Sequence, residues 1–234
     1  MYPDDSVQSL TRTWWIEERS GTPQRGRLLW TFVPHAELKP YRLVLQGRGD
    51  DARQHTQANF RVEAFRISDP PPSQTSVLPV AAFPLREGEI YYVQRGKVRP
   101  AVVVGLGGAA IPAEIRRGEH RWQTARTLLV APYYGADPSS KRGGWPAPFV
   151  ERIRRAEYPQ YIWDQLPLQG GTESILRLDH LFPIGADPAA YRLENHRLSD
   201  EALVLLDEWV TWLLTDGLPS DGTLAMIRTE FSKL

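Results

Sequence analysis

A chain of 234 residues, 41% apolar and 24% charged, has the size and composition of one globular domain, or of one domain with a sizeable extension. It contains no cysteine, which excludes disulfides, thiol catalysis and cysteine-built zinc or iron–sulfur sites; no apolar run reaches the roughly 18 residues of a membrane-spanning helix, and the opening MYPDDSVQSLTRTWW lacks the apolar stretch of a secretory signal, so a cytoplasmic, non-membrane protein is expected. The zero net charge hides a split of +1 over residues 1–79, +7 over 80–156 and −8 over 157–234, and the basic middle suits an anionic partner.

In chain order, residues 6–19 read as a short helix with Leu10, Trp14 and Trp15 on its apolar side, ended by Gly21 and Pro23. Strands are expected at 27–33 (RLLWTFV), 41–45 (YRLVL) and 60–67 (FRVEAFRI), the last alternating apolar and basic residues as a half-exposed antiparallel strand does. The stretch Asp69-Pro70-Pro71-Pro72-Ser73 marks a turn or boundary. Residues 89–93 (EIYYV) and 100–105 (PAVVVG) flank a short basic turn and read as a hairpin. A helical insert at 113–123, a buried strand at 127–134 (TLLVAPYY) and a basic loop at 135–144 follow. Residues 149–153 suggest a strand, 158–165 a short helix, and 174–178 with 180–184 a strand and its exit. The clearest element is a helix over 199–214: Ser199 suits the N-cap, Asp200 and Glu201 suit the first turn, and Leu203, Leu206, Val210, Leu213 and Leu214 form an apolar stripe. A second helix is expected over about 221–231.

Three patterns in the sequence bear on chemistry. The histidines (His35, His55, His120, His180 and His196) form no ligand-spaced pair, so no metal site is expected and they read as surface or loop residues. Gly105-Leu106-Gly107-Gly108-Ala109-Ala110 fits a dinucleotide-binding fingerprint after an apolar strand, but the next strand ends on no ribose-binding acid and strand–helix alternation is missing. The alternative is a glycine-rich turn. The strongest pattern is the basic turn with Arg95, Lys97 and Arg99 leading into Pro100. A residue before proline is held extended, and Pro100 suits a strand start. Arg99 is thereby fixed at the mouth of a sheet, where a planar guanidinium can grip a phosphate and offset its developing charge.

The ordered segments GEIYYV, GKVRPAVVVG, TLLVAPYY, SSKRGGWPAPFVERI, ESILRLDHLFPI and RLSDEALVLLDEWVTWLL, over roughly residues 86–214, resemble the MazF/PemK toxin family. The Arg-Pro strand and the last helix carry the most specific likeness. The resemblance implies a mainly β, α+β fold: an SH3-like small β-barrel with a C-terminal helix, at 85–234. Residues 1–84 would form an N-terminal, β-rich antiparallel extension outside the likeness. It further implies the toxin of a type II toxin–antitoxin pair, a homodimer with a cognate antitoxin protein. The activity would be metal-independent, sequence-selective cleavage of single-stranded RNA with the 2′-hydroxyl as nucleophile and no cofactor.

By the same resemblance Arg99 matches the arginine that acts on the scissile phosphate. Tyr134 falls where the family carries a threonine or serine, with Tyr133 in that place if the register slips by one. A phenol can donate to a phosphoryl oxygen or stack on a base, but it is longer than threonine. The turn before Arg99 is also shorter than the family's and holds no carboxylate. Arg95, Lys97, Tyr133, Ser140, Lys141 and Arg142 are the candidate RNA-binding residues. Trp145 is the tryptophan best suited to stack on a base, whereas Trp209 and Trp212 read as packing residues. A non-catalytic SH3-like module that binds nucleic acid or protein is the alternative reading.

Overall fold

A computed structural model describes residues 2–36, 38–51, 53–54, 56–68, 88–119, 124–137, 144–171, 173–215 and 217–233. Its strands are β1 (Trp15–Glu17), β2 (Arg27–Pro34), β3 (Tyr41–Arg48), β4 (Ala58–Ala64), β5 (Tyr91–Val93), β6 (Gly96–Gly105), β7 (Thr127–Gly135), β8 (Tyr161–Gln165), β9 (Glu173–Arg177), β10 (Phe182–Gly185) and β11 (Tyr191–Leu198). Its helices are α1 (Ala113–Arg116), α2 (Ala147–Arg154), α3 (Asp200–Leu214) and α4 (Thr223–Phe231). The chain divides into two compact units, one made of 1–33 with 98–234 and the other of 34–97.

The first unit is mainly β: a curled antiparallel half-barrel sheet with a few helices. Its strand order is β1-β11-β2-β6-β7-β9-β8, with β10 also paired to β7. Residues alternate across a strand, so a central strand must be apolar on both faces. β6 and β7 meet this need. Val102, Val104, Ala131 and Tyr133 join Leu28 and the helix residues Ala202, Leu205, Leu206, Trp209 and Leu224 in one cluster. Ala101, Val103, Leu128 and Val130 join Leu29 in a second, covered by Phe182, Ile184, Tyr191 and Leu193. A third cluster sets Val150 and Ile153 of α2 against Trp163 and Ile175.

α3 starts where its cap predicts. The Ser199 hydroxyl accepts from the Ala202 N–H at 3.1 Å and donates to the Thr13 carbonyl at 2.5 Å. α4 has no side-chain cap of its own. Glu208 of α3 supplies one, accepting from the Thr223 N–H at 3.0 Å and the Leu224 N–H at 2.6 Å, so a carboxylate meets the positive end of the helix.

Asp164 is fully buried. Its carboxylate accepts from the indole N–H groups of Trp14 and Trp15, each at 3.2 Å, and from the Tyr133 hydroxyl at 2.9 Å. Burial pushes its pKa up to about 7 although all three donors pull it down. The same site explains why residues 6–19 are not a helix. Only a single turn, Val7–Leu10, forms; Leu10 stays 52% exposed while Trp14 is buried, and residues 15–17 pair with 196–198 of β11.

Three other expectations are corrected. Residues 149–153 are helical within α2, because Pro146 precedes a turn whose Val150 and Ile153 share one buried face. Residues 158–165 end in strand β8, because Ile162 and Asp164 point to one side and Trp163 to the other, all buried. The expected hairpin of 89–93 with 100–105 does not form: β5 pairs with β3, and β6 pairs with β7. The continuous buried run Ala101-Val102-Val103-Val104 needs neighbours on both sides, β2 and β7.

The expected boundary at residue 84 lies outside the described residues. Residues 1–33 do not stand apart from the later chain, because β2, buried along most of its length, lies between β11 and β6. The second unit is a three-stranded antiparallel sheet of order β4-β3-β5. Tyr41 stands opposite Ala64 on one side and Val93 on the other. Among the described residues, no helix is long and apolar enough to cross a membrane.

Candidate functional site

The site is built on the pairing of β6 with β7. Ala101 faces Pro132, Val102 faces Ala131 and Val103 faces Val130. Continuing this antiparallel register by two residues sets Arg99 opposite Tyr134. The guanidinium carbon of Arg99 stands 4.3 Å from the centre of the Tyr134 ring, a cation–π contact that holds the fork over the ring face. Arg99 is half-buried, and its Nε has no hydrogen-bond partner among the described residues. That Nε is itself shielded from solvent, so the cation–π contact with Tyr134 is what holds the guanidinium in place. The two residues expected to carry the chemistry are thus brought together.

Two further residues complete the group. The Tyr134 hydroxyl and His180 Nδ1 are hydrogen-bonded at 2.9 Å, and the rings meet edge to face with centroids 5.6 Å apart. His180 ends the short turn Leu178–His180 that follows β9. Arg177, the last residue of β9, lies 5.8 Å from the Tyr134 ring and 5.5 Å from the Tyr161 ring. Its Nε and one terminal nitrogen donate to the two Asp179 oxygens at 3.0 and 2.6 Å. Two guanidinium groups, a phenol and an imidazole therefore converge on one half-buried patch. Such a set can bind a phosphodiester, offset charge on its oxygens and move a proton.

The other predicted site residues stand elsewhere. Tyr133 is 3% exposed, and its phenol is committed to Asp164; burial and that carboxylate push its pKa well above the usual phenol range. It is a core residue with no face toward an RNA. Arg95 and Lys97 are exposed and belong to the 34–97 unit, where the Arg95 carbonyl accepts from the His35 N–H at 2.8 Å. Ser140, Lys141 and Arg142 lie outside the described residues. Trp145 is half-buried and stacked on Phe149 at 5.5 Å with the planes 4° apart, and Tyr161 meets it edge-on. Trp209 is buried and Trp212 packs beside it, under the Arg228 guanidinium.

The glycine fingerprint at 105–110 has a backbone explanation. Gly107 has φ +64°, and a Cβ there would meet the Thr127 carbonyl oxygen at 2.5 Å. Arg126 donates to the Leu106 and Gly108 carbonyls at 3.2 and 2.7 Å, so the turn presents acceptors to an arginine. The strand pairings of the first unit are antiparallel, unlike a dinucleotide fold.

His180 and Arg177 were missed in the sequence because nothing in their spacing links them to Tyr134. The usable signal was ESILRLDH itself: a buried strand that ends on a cation and a histidine, like the cation at the start of β6. No protein-family model and no curated protein matches the chain.

Proposed function

We propose that this chain is a MazF/PemK-like toxin that cleaves single-stranded RNA, with an SH3-like barrel in its first unit and Arg99 as the residue that grips the scissile phosphate. The observation that carries the reading is the Arg99 guanidinium held 4.3 Å from the centre of the Tyr134 ring. The resemblance of residues 86–214 supplies the reaction: the 2′-hydroxyl attacks the adjacent phosphorus, leaving a cyclic phosphate and a 5′-hydroxyl. Arg99 offsets the charge that builds on the phosphoryl oxygens. Tyr134, at the family's threonine position, donates to the same group or receives from the attacking hydroxyl. A homodimer in the cytoplasm, neutralised by a cognate antitoxin protein, belongs to the same proposal.

Purified wild-type and Arg99→Ala proteins, incubated with a long labelled single-stranded RNA in EDTA, test this. Discrete cuts with cyclic-phosphate ends, lost in the variant, are expected. A second reading, a non-catalytic RNA-binding module, is favoured by Tyr134 standing where the family has threonine. RNA binding by the wild type without cleavage would establish it.

A further inference from the structure

We infer that His180 is the terminal proton acceptor of the reaction, drawing the 2′-hydroxyl proton through Tyr134; this rests on the nuclease reading above. Without His180, the described patch holds no group suited to take up a proton near neutrality. A guanidinium does not accept protons near neutrality. A phenol, with an ordinary pKa of about 10, is a weak base there. Asp179 holds a carboxylate nearby, but Arg177 occupies both its oxygens. Imidazole alone takes up a proton in the neutral range, and His180 Nδ1 is 2.9 Å from the Tyr134 oxygen.

With the imidazole proton on Nε2, Tyr134 donates to Nδ1, and its oxygen can in turn receive a proton from substrate. The 2′-oxygen then bonds to phosphorus while its proton passes to the Tyr134 oxygen, and the Tyr134 proton passes to Nδ1. The bond from phosphorus to the 5′-oxygen breaks, its electron pair leaving with that oxygen, which takes a proton from water. The imidazolium returns its extra proton to the hydroxide so formed. Both residues are half-buried rather than sealed in the core, as substrate access requires. Among the described residues, the charged groups that face the Tyr134–His180 pair include Arg99 from β6, Arg177 from β9 and Asp179 from the turn that carries His180. The relay also explains why a tyrosine can stand in the threonine position: its length reaches the imidazole.

The test compares single-turnover cleavage of a labelled RNA by wild type, His180→Asn and Tyr134→Phe across about pH 5 to 9. Asparagine keeps an acceptor near the Nδ1 position but cannot take the proton. Affinity is read in parallel on 2′-O-methyl RNA of the same sequence, which cannot be cut. The expected result is a wild-type rate that rises through the imidazole titration range, and a fall of about 10²- to 10⁴-fold in both variants with affinity nearly unchanged. Cleavage by His180→Asn within about threefold of wild type, or a wild-type profile flat with pH, would overturn the relay and leave the nuclease standing. A wild type that binds RNA but cuts at no pH would overturn the nuclease reading, and the relay with it.

Discussion

The two units solve the problem of cohesion differently. Every buried apolar side chain among the described residues belongs to 1–33 or 98–234. In 34–97 the described strands show intermediate or exposed side chains, and Gly47 alone is buried there. A buried Leu or Val contributes about 1.5–3 kcal/mol, whereas a cross-strand pair contributes roughly 0.2–1. The small sheet relies on a pair of the second kind, Arg42 with Glu63 at 2.9 Å, and on ring contacts, Phe60 edge-on to Tyr91 and Phe65 edge-on to Tyr92. The contrast teaches that backbone ladders alone do not distinguish a rigid sheet from a locally opening one; the layer beneath does.

Substitutions can break or sharpen this contrast. The largest effect on stability is expected from Trp209→Ala, which empties the centre of the first unit's core and should cost about 3–5 kcal/mol in denaturant unfolding. Arg99→Ala, next in size, should lower the proposed RNA cleavage by about 10²- to 10³-fold. Its unfolding midpoint should stay close to that of the wild type, because the guanidinium lies on the rim of the core. A third effect depends on pH. The folded-state pKa of Asp164 is raised from 3.8 to about 7, so the folded state holds a proton that the unfolded chain gives up. The stabilisation is fully present below about pH 4 and is lost as pH rises toward 7. Melts of Asp164→Asn across that window should show a shallower fall than wild type. Gly107→Ala should cost about 1–3 kcal/mol, through its positive φ and the clash with the Thr127 carbonyl. The smallest change is expected in the other unit: Val62 is 61% exposed, and Val62→Ala should shift stability by under about 0.5 kcal/mol. Hydrogen exchange gives the same comparison without mutation, with amides of β3 and β4 exchanging faster than those of β6 and β7. Equal protection in both sheets would remove the distinction.

What was legible in the sequence follows from how local each signal is. Ser199, the acids after it and the apolar stripe define α3 without help from elsewhere, and its bounds match the reading. The apolar runs of β2, β6 and β7 were equally plain. Partnership was not. Proximity along the chain suggested a hairpin between EIYYV and PAVVVG, yet burial of both faces of β6 sends each strand to a different sheet. The Trp14–Trp15 stretch looked helical because its apolar residues suit a helix stripe, while its real partner is a carboxylate 149 or 150 positions away. Arg99 and Tyr134 could be singled out, since a proline locks one and a strand end carries the other. His180 could not, because only the folded sheet brings the end of β9 to the end of β7.

The place of β2 has a consequence for how the molecule comes into being. β11 pairs with β1 at Trp15↔Leu198 and with β2 at Tyr191↔Thr31. As the chain is synthesised, strands near its start wait for one near residue 198 before their side of the sheet can close. Such distant pairings slow folding. A nascent chain that already contains Arg99, Tyr134 and His180 would still lack this last strand, so the groups of the candidate site are all made before the sheet that supports them is complete.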